Sequence, residues 1–597
     1  MCRGSEQTIR ITGKTGDGVI YMRDSNRERT VKRVRKHRQK YLPVLVAVLL
    51  IVIVAGVSLA NGLFEELIPT GKEADLNEYF NVTSPNEAAV ILNKEISPDK
   101  ALFMNGIYYF PISMANGLND IFYYDGIENR LFATTAAAVN EAGTSDFLLN
   151  GETVYISIDF IKKFANLSYK TASGPARIVL QTVWDKKDTA KAKKGAYMKA
   201  VPDKKADIVK KLEEGETVEI ISANEAYSYC LTDDCFVGYV ETDKLEDHAA
   251  AAETPVSEVP PIVYPVNRIN GNVVIGWHNV TNDTANSMLS DAISRVHGMN
   301  VICPTWFALS GNDGAITSIA SHEYVEEAHN NGLQVWGLLD NFSDETDTEA
   351  VLSRTSSRQT LVNNIINAAV EYGLDGINID FELLPASAGD DFAQFLRELS
   401  IICHSKNIIL SSDNYVPQEY TNYYRRDIQG KVCDYLIIMG YDEHTSVSHE
   451  AGSVASIGFV TDGIVNTLKD VPAEKVINGI PFYTRRWSLE NGVLDSAVLG
   501  MADASAWLSD NGQSAVWDDA TCQNVAVFDK NGVTYSIWLE DAQSVSAKLS
   551  VMKNNNLAGV ACWRLMMETS DIWDVISAFY PVSGANELSS AAAGAEQ

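Results

Sequence analysis

The chain has 597 residues, 46% of them apolar and 21% charged. Those proportions exclude a chain disordered throughout and call for roughly three to five domains at ~100–200 residues each. The formal charge is −30, yet residues 1–40 hold 12 Lys/Arg against 4 Asp/Glu, leaving 36 against 74 in the remainder. A body that acidic repels phosphate backbones, which excludes nucleic acid as a partner. Eight cysteines without a CxxC pair are too sparse for a disulfide scaffold or structural zinc.

Leu42 to Ala60 reads LPVLVAVLLIVIVAGVSLA, nineteen residues without a charge. At 1.5 Å rise per residue this spans roughly 28 Å, about the hydrocarbon core of a bilayer. Lys32, Arg33, Arg35, Lys36, Arg38 and Lys40 crowd its N-terminal flank, and Glu65 and Glu66 follow it. The sequence therefore predicts a single-pass transmembrane helix over 41–61. The positive-inside rule leaves a basic cytoplasmic tail, 1–40, on anionic lipid and everything after the helix outside the cell membrane. The rival reading is a signal peptide cleaved after Ser58-Leu59-Ala60; the long apolar run and the forty residues before it favour the anchor. GKT at Gly13–Thr15 lacks the spaced upstream glycine of a phosphate-binding loop.

Residues 62–85 are mixed and polar, and read as a stalk. From 86 to 183 come short β-type runs, with Asn105-Gly106 and Asn150-Gly151 as hairpin signals. These runs resemble the repeated β-unit of the copper amine oxidase N-terminal-like domain, which implies no copper and no catalysis. Residues 188–246, with GETVEII and GYV strands, resemble a bacterial SH3-like domain, a wall-binding module. Cys230 and Cys235 are four residues apart on its hairpin and stand open between a disulfide and two thiols. Residues 247–264 are Ala/Pro-rich and read as a linker, and 581–597 as a disordered tail.

Between 265 and 580 strand-like runs alternate with amphipathic helical ones. The strands are expected at 272–278, 300–306, 333–340, 374–382, 407–414, 433–441, 475–483 and 558–565. Most are apolar on both faces, as parallel strands covered by helices are. In the fourth helical run Phe392, Phe395, Leu396 and Leu399 fall at helical spacing. Eight βα units in this length are the arithmetic of an α/β TIM barrel. An insertion between strands seven and eight reads as a hairpin around Asn531-Gly532. The fold class is thus a TIM (β/α)8 barrel preceded by a transmembrane helix and two small β-rich domains.

The fourth strand carries the chemistry. Side chains alternate along it, so Asn378, Asp380 and Glu382 point one way and Ile377, Ile379 and Phe381 the other. The apolar set belongs to the helix layer, which leaves two carboxylates and an amide inside the barrel, an expensive arrangement unless used. Glu382 lies at the carboxyl end, where barrel active sites sit. Repulsion between Asp380 and Glu382 is expected to raise one pKa, as a general acid near neutrality needs.

Asp375, Asn378, Asp380 and Glu382 in the run DGINIDFE resemble the DxxDxDxE signature of family 18 glycoside hydrolases, the chitinase-like enzymes. Met439, Tyr441 and Asp442 match that family's M-x-Y-D, and Trp563 its strand-eight tryptophan. The variant is similar to bacterial cell-wall and spore-germination glycosidases, which often carry Asn where chitinases have the second Asp; here that place is Asn378. The resemblance implies a retaining, substrate-assisted hydrolysis of β-linked N-acetylglucosamine bonds, with cell-wall glycan (peptidoglycan) as partner and chitin or another GlcNAc polymer as the alternative. Glu382 would be the acid/base, Asp380 would orient the 2-acetamido group and Tyr441 would bond its carbonyl. Substrate would be held by Asn378, Asp442, Trp563 and Met439, with Asp413 and Asn414 at the end of strand five as further sugar ligands. No metal or cofactor is implied. A carbohydrate-binding scaffold on a catalytically retired barrel is the reading from another class, and retention of Glu382 counts against it.

Several other residues have blander readings. Asp375 has the opposite parity and is expected to be structural. Trp277, Trp306, Trp336 and Trp487 stand open between sugar stacking and core packing. His278 and His444 lack the spacing of metal ligands, no GxSxG elbow is present, and Cys303, Cys433 and Cys562 read as buried small apolar residues.

Overall fold

Residues 46–54, 56–57, 71–254, 259–582 and 588–590 are described by the computed structural model. The expected basic tail, the first part of the stalk, the middle of the linker and much of the C-terminal tail lie outside them. The expected membrane-spanning helix is corrected. Among the described residues no helix is long and apolar enough to cross a membrane. Residues 46–54 are helical and exposed, but nine residues rise only about 14 Å, half of a ~30 Å hydrocarbon core. The fold class therefore loses its first element, and the placement with N-terminus in the cytoplasm and catalytic domain outside, which rested on it, falls too.

Eight parallel strands run β1 Val273–His278, β2 Val301–Leu309, β3 Gln334–Asp340, β4 Gly376–Asp380, β5 Ile409–Tyr415, β6 Tyr435–Met439, β7 Val476–Pro481 and β8 Gly559–Trp563. Each pairs with its sequence neighbours, and β8 pairs with both β7 and β1, which closes the barrel. Two cores follow from the alternation of side chains. Outside, Ile377, Ile379 and Phe381 join the helix layer. Inside, Val301, Trp336, Ile409, Tyr435 and Ile437 fill the lower barrel, with Trp336 stacked on Tyr435. Gly376 makes room for this plug, since a Cβ there would come within 2.6 Å of the Trp336 ring. The polar side chains of β4 and β5 are thereby confined to the upper end.

The helices around β4 matter most for the site. Helix α1 (Thr355–Tyr372) precedes it and ends on Gly373, left-handed at φ 70°. Helix α2 (Gly389–Ser405) follows it and buries Phe392, Phe395, Leu396 and Leu399, the four residues whose spacing predicted it. Phe381 lies nearly parallel to Phe395, with ring centroids 5.7 Å apart. The insertion after β7 is a five-stranded antiparallel sheet, larger than the single expected hairpin. It contains that hairpin, Lys530 pairing Val533 across Asn531-Gly532, and a second across Asn491-Gly492. Both turns have φ > 0 at their two central residues, which Asn-Gly tolerates.

The chain divides into two compact units, one of Leu76–Asp188, Thr232–Val237 and Ala249–Gln597, the other of Met1–Asp75, Thr189–Leu231 and Gly238–His248. The second carries a small sheet that includes Tyr197–Lys199, Ile208–Lys211, Thr217–Ala223 and Tyr227–Thr232. Cys230 and Cys235 are free, buried thiols. In the first unit, a seven-stranded sheet and a three-stranded one precede the barrel. The three-stranded sheet (Phe122–Asp125, Arg130–Thr134, Val139–Glu141) docks on α1 and α2. Tyr123 Oη donates to Asp391 Oδ1 at 2.6 Å, and the guanidinium of Arg358 lies 4.6 Å from the Tyr123 ring centre. Gln394 Nε2 donates to Thr134 Oγ1, and Arg397 Nη2 to the carbonyl of Asp120.

Asp125 is the centre of this contact. Its Oδ2 accepts from both the backbone N–H and the hydroxyl of Thr355 at 2.6 Å, and its Oδ1 from the N–H groups of Ile127 and Glu128. Arg354, at the N-cap of α1, makes no capping bond through its side chain, so the cap comes from another sheet. Burial alone would push the Asp125 carboxyl up, but its hydrogen bonds outweigh that and hold it below the usual range. Asp125→Ala is expected to cost roughly 2–4 kcal/mol in urea unfolding of the full chain, and Asp125→Asn less, since one acceptor remains. Because the folded pKa is depressed, the difference from wild type should be full at neutral pH and shrink as pH falls below the ordinary Asp value of ~3.9. Equal midpoints for wild type and Asp125→Ala would refute the cap.

Candidate active site

At the carboxyl ends of the strands a cavity of about 180 Å³ is lined by residues of six strands or their following loops. β4 supplies Asp380 and, just past its end, Glu382. β5 supplies Asp413 and Tyr415, β6 Met439, Tyr441 and Asp442, β8 Trp563, β1 Trp277, and the loop after β3 Phe342. Seven of the nine residues expected in the site thus meet here: Glu382, Asp380, Tyr441, Asp442, Trp563, Met439 and Asp413.

The other two have different places. Asn378 is fully buried beneath the cavity. Its Nδ2 donates to Ser411 Oγ (3.0 Å) and Asp413 Oδ1 (2.8 Å), and its Oδ1 accepts from Trp277 Nε1 at 3.1 Å. It orients Asp413 and Trp277 from below. Asn414 points out of the barrel and exchanges two hydrogen bonds with Gln429 on the helix Arg426–Val432. Alternation explains this: Ser411, Asp413 and Tyr415 share one face of β5, and Asn414 must take the other. The same rule finds Tyr415, which the sequence reading omitted.

Tyr415 Oη donates to Glu382 Oε2 at 2.6 Å and accepts from the N–H of Leu383 at 3.2 Å. Burial pushes the Glu382 carboxyl up; the Tyr415 bond opposes this, and the charges of Asp442 and Asp340 add to it. Asp380 is pushed well up, first by burial and then by Asp413, Glu382 and Asp340, and its Oδ1 has no hydrogen-bond partner. Asp413 is raised by burial and by Glu382 against the Asn378 bond. Burial thus pushes both carboxyls up, and each is raised further by a neighbouring carboxylate. Asp340, opposite Asp380 in the β3–β4 ladder, is a fifth carboxyl that sequence reasoning missed, because it ends an otherwise apolar run.

The aromatic walls have simple causes. Tyr441 fits because Gly479 leaves space; a Cβ there would lie 3.0 Å from its ring. Trp277 stands edge-on to both Tyr441 and Trp563. Asp442 adopts φ 61° and accepts a hydrogen bond from Tyr483, at the start of the inserted sheet. Trp306, Trp336 and Trp487 are core residues, each fully buried or nearly so. Asp375 is structural as expected, accepting from the N–H of Val335. Cys303, Cys433 and Cys562 are buried. His278 is bonded to Tyr324, and burial, with Arg564, pushes it down to about 4. Among the described residues no group of His, Cys, Asp and Glu is arranged to hold a metal ion.

The "Uncharacterized glycosylase YvbX" of Bacillus subtilis is 26% identical over 315 residues, covering 50% of this chain and 88% of that protein. The "Cortical fragment-lytic enzyme" of Bacillus subtilis is 28% identical over 247 residues, 40% of this chain and 56% of that protein, so the match spans about half its length. "Endochitinase 1" of Metarhizium robertsii is 22% identical over 356 residues, covering 52% of this chain and 76% of that protein. Residues 267–568, half of the chain and the whole of the cavity's lining, match the family described as Glycosyl hydrolases family 18, and the chain belongs to that family.

Proposed function

We propose that this glycosidase cleaves β-linked N-acetylglucosamine bonds in cell-wall glycan, with net retention and with the substrate's own acetamide as nucleophile. The observation that carries this reading is Glu382, hydrogen-bonded by Tyr415 at the cavity mouth beside an Asp380 whose Oδ1 lacks a partner. A cavity of about 180 Å³ is below the ~300–1,000 Å³ of sites for drug-sized ligands, which suits a single pyranose.

The chemistry runs through these groups. Tyr415 occupies Glu382 Oε2 and leaves Oε1 to carry the acid proton. Glu382 gives that proton to the glycosidic oxygen as the C1–O bond breaks. The acetamide carbonyl oxygen bonds to C1 and forms a cyclic oxazolinium. Asp380 Oδ1 accepts from the acetamide N–H, which orients the carbonyl and balances the developing positive charge. Tyr441, from the facing wall, hydrogen-bonds the carbonyl oxygen, and Trp563 floors the ring. Water then attacks C1, Glu382 takes its proton, and the C1–O bond to the acetamide opens with the starting configuration restored. Peptidoglycan is favoured over chitin by the likeness to the cortical fragment-lytic enzyme and by Asn378 at the place of the second Asp.

Glu382→Gln should lower turnover of purified peptidoglycan and of GlcNAc oligosaccharides by at least ~10²-fold; unchanged turnover would sink the assignment. If chitin oligomers are cut and defined peptidoglycan is not, mass spectrometry of the products will reverse the choice of polymer. The pH profile supplies a separate check. Glu382 must be protonated to act, and burial raises its pKa, so kcat/KM should fall on a limb above the ordinary Glu value of ~4.3. Tyr415 stabilises the carboxylate form, so Tyr415→Phe should move that limb to higher pH. A limb that stays or moves down would contradict the role given to the phenol.

A further inference from the structure

The backbone ladder between β3 and β4 stops at Asp340 opposite Asp380. Glu382 lies two residues beyond it, where no strand partner remains. Asn341, the next residue after β3, takes over. Its Oδ1 accepts from the N–H of Glu382 and its Nδ2 donates to the C=O of the same residue, both at 2.9 Å. These are the two bonds that an opposing backbone residue would supply in a sheet, here made by one carboxamide. The amide is itself held, because Nδ2 also donates to Thr348 Oγ1 at 3.0 Å, on the short helix Thr348–Leu352.

We propose that Asn341 is a positioning residue for the acid/base. By clamping the peptide of Glu382 from both sides it sets the distance and angle at which the carboxyl meets the scissile oxygen. This rests on the reading of Glu382 as acid/base given above. Tyr415 cannot do the same work, since it holds one carboxyl oxygen and the next N–H while leaving both polar groups of the Glu382 peptide free. A misplacement of about 1 Å at a catalytic group costs up to ~10²-fold in rate, and Asn341 acts from outside the cavity lining, through the Glu382 backbone.

The test uses the full chain, a soluble GlcNAc oligosaccharide and a thermal melt for each variant. Asn341→Ala should lower kcat about 10- to 100-fold with KM changed no more than about threefold. The same change made in Glu382→Gln should add almost nothing to that variant's loss, because its effect passes through the missing acid. Asn341→Asp guards against misfolding. It keeps the shape and one acceptor, loses the donor to the Glu382 carbonyl, and brings a charge to a carboxyl already facing Asp340 (β3), Asp380 (β4), Asp413 and Tyr415 (β5) and Asp442 (after β6). Its kcat should fall, and the alkaline limb of kcat/KM should move up. A folded Asn341→Ala with kcat within twofold of wild type overturns the inference, as does a loss equally large in the Glu382→Gln background. If Glu382→Gln itself keeps full turnover, the acid/base reading fails and takes this one with it; an inactive Glu382→Gln beside a normal Asn341→Ala removes this one alone.

Discussion

Five carboxyl groups, Asp340, Asp380, Glu382, Asp413 and Asp442, gather at one end of one barrel, and their repulsion in poor contact with water is the constraint that the surrounding structure answers. Left ionised together they would cost several kcal/mol. The barrel lowers that cost in two ways. It pushes the Asp380 and Asp413 carboxyls up towards their neutral forms, and it gives the charge that remains fixed donors: the Asn378 amide on Asp413, the Tyr415 phenol on Glu382 and the backbone N–H of Phe342 on Asp340. Asp380 Oδ1, among the described residues, is a fully buried carboxyl oxygen left without a donor. Leaving one buried acceptor unmatched is destabilising to the empty protein by ~1–3 kcal/mol. A ligand N–H placed there would recover that loss, which supports the proposed preference for amide-bearing sugars.

Such a site has to be held still, and the holding extends well beyond the barrel. β4 is bracketed by α1 and α2, and both helices are gripped on their outer side by the three-stranded sheet of residues 122–141. The grip is polar rather than greasy: a carboxylate on a helix N-terminus, a buried guanidinium over a tyrosine ring, and an amide on a threonine hydroxyl. Polar contacts of this kind are directional, so they fix register and angle more than they add net stability. The residues before the barrel thus act on its geometry at α1 and α2, in addition to anything they bind themselves.

The sequence was legible where one periodicity decided the outcome. All eight barrel strands, the burial of Phe392, Phe395, Leu396 and Leu399, and the inward set of β4 follow from alternation or helical spacing. Applied to β5 the same alternation separates Asp413 and Tyr415, which enter the cavity, from Asn414, which bonds Gln429 outside. Asn341 was not legible, because a side chain that imitates backbone pairing has no periodic signature. Nor was Asp125, whose function exists only once a helix 230 residues later is laid beside it. The apolar run at 42–60 is the opposite case. Its composition satisfies every rule for a spanning helix, yet only 46–54 and 56–57 are described as helical, and hydropathy alone cannot say how far a helix continues.

The end of β4 shows why the acid stands off the strand rather than on it. Inside the ladder, the peptide of a residue is fixed by its neighbours' backbones, and its side chain can point only straight in. The chain leaves the ladder after Asp380 and turns through Leu383, a non-glycine residue at φ 54°, which sets Glu382 at the cavity mouth, where the proposed acid would meet its bond. A branched side chain in the left-handed region costs about 1–2 kcal/mol, and Leu383 gains nothing by burial, being 86% exposed. The turn is kept by side chains that receive its orphaned backbone groups. Asn341 takes both groups of Glu382, Tyr415 takes the N–H of Leu383, and Tyr424 takes the N–H of Leu384 while donating to the C=O of Phe381. Three side chains from two neighbouring βα units therefore replace the sheet at the point where the sheet no longer holds the Glu382 backbone.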